Sequence, residues 1–380
     1  MARKSKEQLN KIKKQYGVDD LYSWSKYHTY KTDSYEYYLK YIKKIKEDRS
    51  DGIYAISGGT SHEIIEDFYL KNITNKEMLE RYEEKLFDFN LAELKYDRTD
   101  EEKNEKIANK YETCMRHFFL NHRRVSHNIQ IEKFITINID GNIFQGYIDS
   151  IWAENINGEN HIYINDWKTS SLYTGKKIQK ECGQLLLYAE GIRQKLNIPL
   201  SRIHIMWCFL KYVEVVYTQA KGDKKNRIID RHEIASKLKS NAGMWLKKLK
   251  YDELEIEKYL DEMTATNSIE CLPEDVKEKF EIKDCYVEIL IDEDIVNELK
   301  EDIIKTVAEI KQKETEYKKN KDEKIFWQEV TDYDSYRLAN LSGYSRKIHK
   351  PYDEYLKNLE MFKTNNEEEK EDDWMKELGL

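Results

Sequence analysis

The chain has 380 residues, 36% of them charged and 39% hydrophobic, with a formal net charge of −8. That length can bury a core in one elaborate domain or two, and the composition is that of a soluble, helix-rich α/β protein without a disordered bulk. The charge argues against a uniformly basic nucleic-acid binder, but its distribution matters more than its sum. Residues 365–380 carry seven acids and two lysines, about −5 of the −8, whereas residues 1–14 are locally basic. Five scattered cysteines have neither zinc-finger nor redox spacing, which points to reduced thiols in a cytosol. No apolar stretch reaches membrane-spanning length, and the N-terminus lacks a signal-peptide core.

In chain order, residues 5–16 read as a basic amphipathic helix. The run from Tyr22 to Lys31 interleaves aromatics with cations. It serves either to stack bases and hold phosphates or to pack a tyrosine-rich helix on the core. Residues 34–47 continue as a helix with Tyr37, Tyr38, Tyr41 and Ile42 along its stripe. Gly58-Gly59 then breaks the chain, and Thr60 with Glu63 has the form of a capping box for a helix running to Leu70. His62 and Glu66 share a face near the start of that helix. Residues 76–124 are helical and charged. Arg116, His117, Arg123 and Arg124 there form either a solvated face or part of a DNA path.

A β pattern follows. Ile129–Ile139 alternates, Asp140-Gly141-Asn142 turns, and Ile143–Ala153 makes a second strand. Asn157-Gly158 turns again before Ile162-Tyr163-Ile164-Asn165-Asp166-Trp167-Lys168-Thr169. A helix over about 176–196 carries Gln184 and Tyr188, and strands over Ile203–Leu210 and Val213–Thr218 come next. Helices over about 232–250 and 292–319 flank one strand near Tyr286–Ile291. Residues 365–373 are an acidic, disordered linker. The apolar end Trp374–Leu380 reads as a partner-docking tag or as a tail folded back on the body.

Alternate side chains of a strand share a face, so Asp166 and Lys168 point the same way. A bare cross-strand ion pair is one explanation. The other is a metal-binding carboxylate beside a cation that steadies a nucleophilic water, with Asp149 of Gly146-Tyr147-Ile148-Asp149 as a second ligand on a neighbouring strand.

Four motifs in order, Gly58-Gly59-Thr60-Ser61-His62-x-x-x-Glu66, Gly146-Tyr147-Ile148-Asp149, Asp166-Trp167-Lys168-Thr169 and Gln184-x-x-x-Tyr188, resemble the signature of RecB-type nucleases of the PD-(D/E)XK superfamily. The resemblance covers about residues 58–210. It implies an α/β, restriction-endonuclease-like core of αβββαβ order with large helical additions at both ends. On that basis residues 1–55 are an N-terminal basic and aromatic segment packed on the core, 56–220 the nuclease core, 221–364 a helical region with one added strand, and 365–380 the acidic tail.

The resemblance also implies a Mg²⁺- or Mn²⁺-dependent deoxyribonuclease, an exonuclease serving recombination, repair or DNA processing in a phage or low-GC bacterium. Its partner would be DNA, with a protein partner at the tail, and its place the cytoplasm or a host's cytoplasm. The alternatives are an endonuclease on the same fold and a non-catalytic binding module. Asp149, Asp166, His62 and the Trp167 carbonyl would be the metal ligands. Lys168 would orient water, Glu66 would support His62 or bind a second ion, and Gln184 and Tyr188 would stand at the site's edge. The iron–sulfur cysteines of several relatives have no counterpart in residues 20–45 or in the stretch from Phe326 to Tyr352, so no cluster is expected and packing must join the terminal segments.

Overall fold

The first three strands of a mixed six-stranded sheet are set by two tight turns. β1 (Gln130–Ile139) meets β2 (Asn142–Ile156) through Asp140 and Gly141, whose φ values of 49° and 76° belong to the turn that matches strand twist. Asn157 and Gly158, at 53° and 88°, repeat the device before β3 (Glu159–Lys168). The computed structural model describes residues 4–48, 53–125, 128–328, 335–345, 347–355, 357–358 and 360–361. The acidic linker and Trp374–Leu380 lie outside them.

Ahead of the sheet come α1 (Lys6–Tyr16), α2 (Trp24–Thr32), α3 (Ser34–Tyr37) with a π-helical continuation over Tyr38–Ile42, α4 (Ile53–Leu70), α5 (Asn75–Leu91) and α6 (Glu101–Asn121). After β3, α7 (Lys176–Glu181) and α8 (Gly183–Leu196) cross back to β4 (Ile203–Thr218), which pairs parallel to β3 over Ile203–Phe209. β5 (Lys224–Asp230) pairs antiparallel with the later half of β4. Then follow α9 (Ile234–Lys248), α10 (Glu253–Thr266), α11 (Glu274–Lys277), β6 (Phe280–Ile289), α12 (Glu293–Asn320) and α13 (Ser335–Asn340). β6 runs antiparallel along the other edge of β4, with an irregularity between Cys208 and Val213.

Two cores flank the sheet. On one face Ile137, Ile148, Ile164 and Ile205 meet Leu185, Tyr188 and Ile192 of α8 and Val296, Ile303 and Val307 of α12. On the other, Trp167, Cys208 and Leu210 lie under Ile65 and Phe68 of α4, Tyr82 of α5 and Phe118 of α6. A third cluster joins the far end of β4 to α9 and α10. Among the described residues no helix is long and apolar enough to cross a membrane.

Several local expectations give way to packing. Gly58-Gly59 does not break the chain: α4 runs through it from Ile53, and Thr60 is a buried mid-helix residue rather than a cap. Two helical glycines cost about 1 kcal/mol each relative to alanine, but Ser57, Thr60, Ile64, Ile65 and Phe68 keep one face buried. A Cβ at Gly58 would stand 3.5 Å from Thr169 Oγ1, so the helix lies against the end of β3. The helix over 34–47 stops at Ile42, and the one over 176–196 is divided at Cys182. The two strand runs over 203–218 are one strand, and β5 escaped the pattern because Ile228 and Ile229 are its only apolar residues.

The interleaved run after Tyr22 is a packing element. Tyr22, Tyr27 and Tyr30 are buried, and Tyr22 adds a bridge beside β2 through its N–H to the Ile143 carbonyl at 2.9 Å. The basic residues near the end of α6 are engaged too. Arg116 binds Glu83 at 2.6 Å, Arg124 covers the Phe68 ring, and His117 accepts from Arg231 at 3.2 Å; Arg123 is exposed.

Candidate functional site

β3 delivers Asp166, Trp167 and Lys168 at its carboxyl end, where the parallel partner β4 supplies a wall of Trp207, Cys208 and Phe209. Trp167 turns into the core beneath α4, so Asp166 and Lys168 face the α8 side. Asp166 is 5% exposed, and its Oδ2 lies 2.5 Å from Lys168 Nζ. Burial works against the Lys168 ammonium, but Asp166 and then Asp149 outweigh it and raise its pKa. The lysine is charged at any physiological pH.

Asp149 comes from β2. Its Oδ2 accepts the Trp167 N–H at 2.9 Å and lies 3.5 Å from His62 Nδ1. Burial lifts the Asp149 carboxyl well above the ordinary carboxylate range; His62 and Lys168 oppose that rise and the Asp166 charge adds to it. His62 stands two turns inside α4, at the level where the helix crosses the end of β3. Its Nε2 is 2.9 Å from the Trp167 carbonyl oxygen. A carbonyl only accepts, so Nε2 carries a hydrogen, and the other ring nitrogen, Nδ1, faces the Asp149 carboxylate.

On α8, Gln184 donates its amide to the Tyr188 hydroxyl at 3.1 Å. Burial raises the Tyr188 pKa, so the phenol keeps its proton. The ring crosses Gly146 of β2 so closely that a Cβ there would stand 2.7 Å from both Tyr188 Cε1 and its hydroxyl. This explains the glycine three residues before Asp149.

His62, Asp149, Asp166, Trp167 and Lys168 thus converge, with Gln184 and the buried Tyr188 on the α8 side. Glu66 is half-buried one turn beyond His62. The acid that gathers with His62 and Asp149 is instead Glu132 of β1, and the ligand atoms of these three lie within 4.8 Å of one another. Strict alternation along Ile131–Ile139 consigns Glu132 to a polar face. The one sequence cue was an acid on the strand that pairs with the Asp149 strand.

The donors fit a hard divalent cation. Carboxylates and a carbonyl are typical oxygen ligands, and an imidazole nitrogen gathered within 4.8 Å of two carboxylates completes a donor set of the kind that holds such an ion. A family model described as the PD-(D/E)XK nuclease superfamily matches residues 22–322. The chain belongs to that superfamily. This PD-(D/E)XK protein is accordingly an α/β nuclease of a kind that uses divalent metal, and its match extends well past the motif region into α12. No curated protein and no solved structure matches it.

Proposed function

We propose that this nuclease hydrolyses DNA with Mg²⁺ or Mn²⁺ and works from DNA ends, as an exonuclease in DNA processing, recombination or repair. The observation that supports a working catalytic centre is Lys168, held charged by Asp166 beside Asp149. Asp149, Asp166, His62 and the Trp167 carbonyl would hold the cation, which supplies a water of lowered pKa and neutralises charge on the phosphate oxygens. Lys168 orients the attacking water and offsets the charge that grows on the phosphorane. Tyr188, a protonated phenol held by Gln184 and packed over Gly146, would support the site from the α8 side. End-dependence rests on the likeness of the four motifs to RecB-type enzymes.

The test is cleavage of end-labelled linear DNA, closed circular DNA and RNA with Mg²⁺, Mn²⁺ or EDTA. Metal-dependent loss of linear DNA alone is expected. Lys168→Ala and Asp166→Asn should each slow it by at least about 10²-fold. Cutting of circles would make the protein an endonuclease, and no cleavage by a folded sample would favour a binding module.

A further inference from the structure

Glu132 occupies a backbone conformation that its residue type does not favour. Its φ is 51°, in the left-handed region. The other nine non-glycine residues with positive φ among the described ones, such as Asp140, Asn157 and Asn267, sit in turns or just past helix ends. Glycine or asparagine would adopt this conformation with less strain than glutamate.

The strain coincides with a reversal of the strand. Ile131 packs under α4 to α6 with Trp167 and Cys208, whereas Ile135, Ile137 and Ile139 pack against the α8 side. All four are odd-numbered, and in a regular strand they would share one face. β2 reverses at the same level. Ile148 belongs to the α8 side, while Ser150 is paired with Ile131. Pairs 131 with 150 and 133 with 148 are present in the ladder, and the pair between them, 132 with 149, is missing. Both strands therefore change face at Glu132 and Asp149, and the change sets their carboxylates beside His62.

Among the described residues no lysine or arginine forms an ion pair with Glu132. Two acids and an imidazole are gathered there by a twist that a glycine would make with less strain. We propose that Glu132 is a ligand of the divalent cation, forming with His62 and Asp149 a mixed nitrogen–oxygen subsite that takes Mn²⁺ in preference to Mg²⁺. Carboxylates alone suit either ion, and the imidazole nitrogen tips the choice towards the transition metal. Asp166 also holds Lys168, a task that Glu132 does not share. The inference rests on reading this site as a metal-dependent nuclease centre.

Direct Mn²⁺ and Mg²⁺ titrations of the full chain, by calorimetry and by the electron paramagnetic resonance of free Mn²⁺, test it. Wild type should bind Mn²⁺ more tightly than Mg²⁺. Glu132→Gln and Glu132→Gly should each weaken Mn²⁺ by at least about tenfold and narrow the preference. Thermal unfolding in EDTA separates ligation from scaffolding: the glycine variant should melt at the same temperature or higher, because the left-handed residue is relieved. Unchanged Mn²⁺ affinity in both variants would overturn the proposal. So would a glycine variant that melts lower and still binds Mn²⁺ normally. Cleavage assays keep the two readings apart. Glu132-independent binding in an active nuclease defeats only this inference, whereas Glu132-dependent Mn²⁺ binding without any cleavage defeats only the nuclease reading.

Discussion

At the residue scale, the contact between Gly146 and Tyr188 explains why a strand interior carries a glycine next to the site. Gly146 needs no unusual φ; it needs the absence of a side chain. Gly146→Ala should displace the Tyr188 ring and cost about 1–3 kcal/mol of stability, read as a lower urea midpoint, with a loss of cleavage rate beyond what partial unfolding explains. Tyr188→Leu should soften that cost in the double variant, since the clash is with the ring itself. A G146A protein of wild-type stability and activity would mean that the ring does not lie where the structure has it.

At the element scale, the N-terminal helices are fastened to α12 by tyrosines that reach its acids. Tyr27 donates to Asp302, Tyr30 to Glu309 at 2.6 Å and Tyr37 to Glu314 at 2.8 Å. Burial is the main reason that all three phenols have raised pKa values, with the neighbouring acids adding to it, so they remain donors. Positions 302 and 309, seven apart, share one face of the long helix and 314 lies further round it; the helix also lines the main core through Val296, Ile303 and Val307. Tyr30→Phe and Tyr37→Phe keep the rings and remove one charge-assisted bond each. Each should lower stability by about 1–2 kcal/mol in denaturant titrations.

At the scale of the whole molecule, two buried ionic knots join distant segments. Asp33, which caps α3, accepts from His349 at 3.0 Å and from Arg337 at 3.2 Å, and Tyr37 and Tyr38 stack with Phe326 close by. The terminal segments are thus tied by packing and ion pairs. The second knot links α6, the turn after β5 and β6. Asp284 binds His122 at 2.7 Å and Arg231 at 2.5 Å, and Arg231 reaches His117.

This second knot makes stability fall in acid. Burial, and then the Arg231 charge, pull the His117 pKa from 6.5 down to about 4. Between those values the unfolded chain binds a proton that the folded chain does not, so stability declines as pH drops through the window and is undiminished above it. Burial opposes ionisation of Asp284, but His122 and Arg231 bring it from 3.8 down to about 2. Its contribution is present above 3.8 and is lost as pH falls towards 2. Urea unfolding at stepped pH should show the loss, with about 1–3 kcal/mol going in the His117 window. His117→Gln should flatten that upper part alone.

What the sequence determined by itself is local. Asp-Gly and Asn-Gly between alternating strands specify the two hairpins, because only those residues enter left-handed turns without strain. Period-two geometry alone puts Asp166 and Lys168 on one face, and the order of the four motifs was enough to name the superfamily before any contact was known. The tertiary structure decided whatever depends on what lies across the gap. Gly58-Gly59 reads as a break until a helix lies against Thr169 and its neighbours bury enough surface to offset two glycines. The tyrosines after Tyr22 read equally well as a base-stacking patch until α12 supplies their acids. Glu132 reads as an outward residue because alternation assumes a strand that keeps its faces, and only the paired twist with β2 turns its carboxylate towards Asp149 and His62.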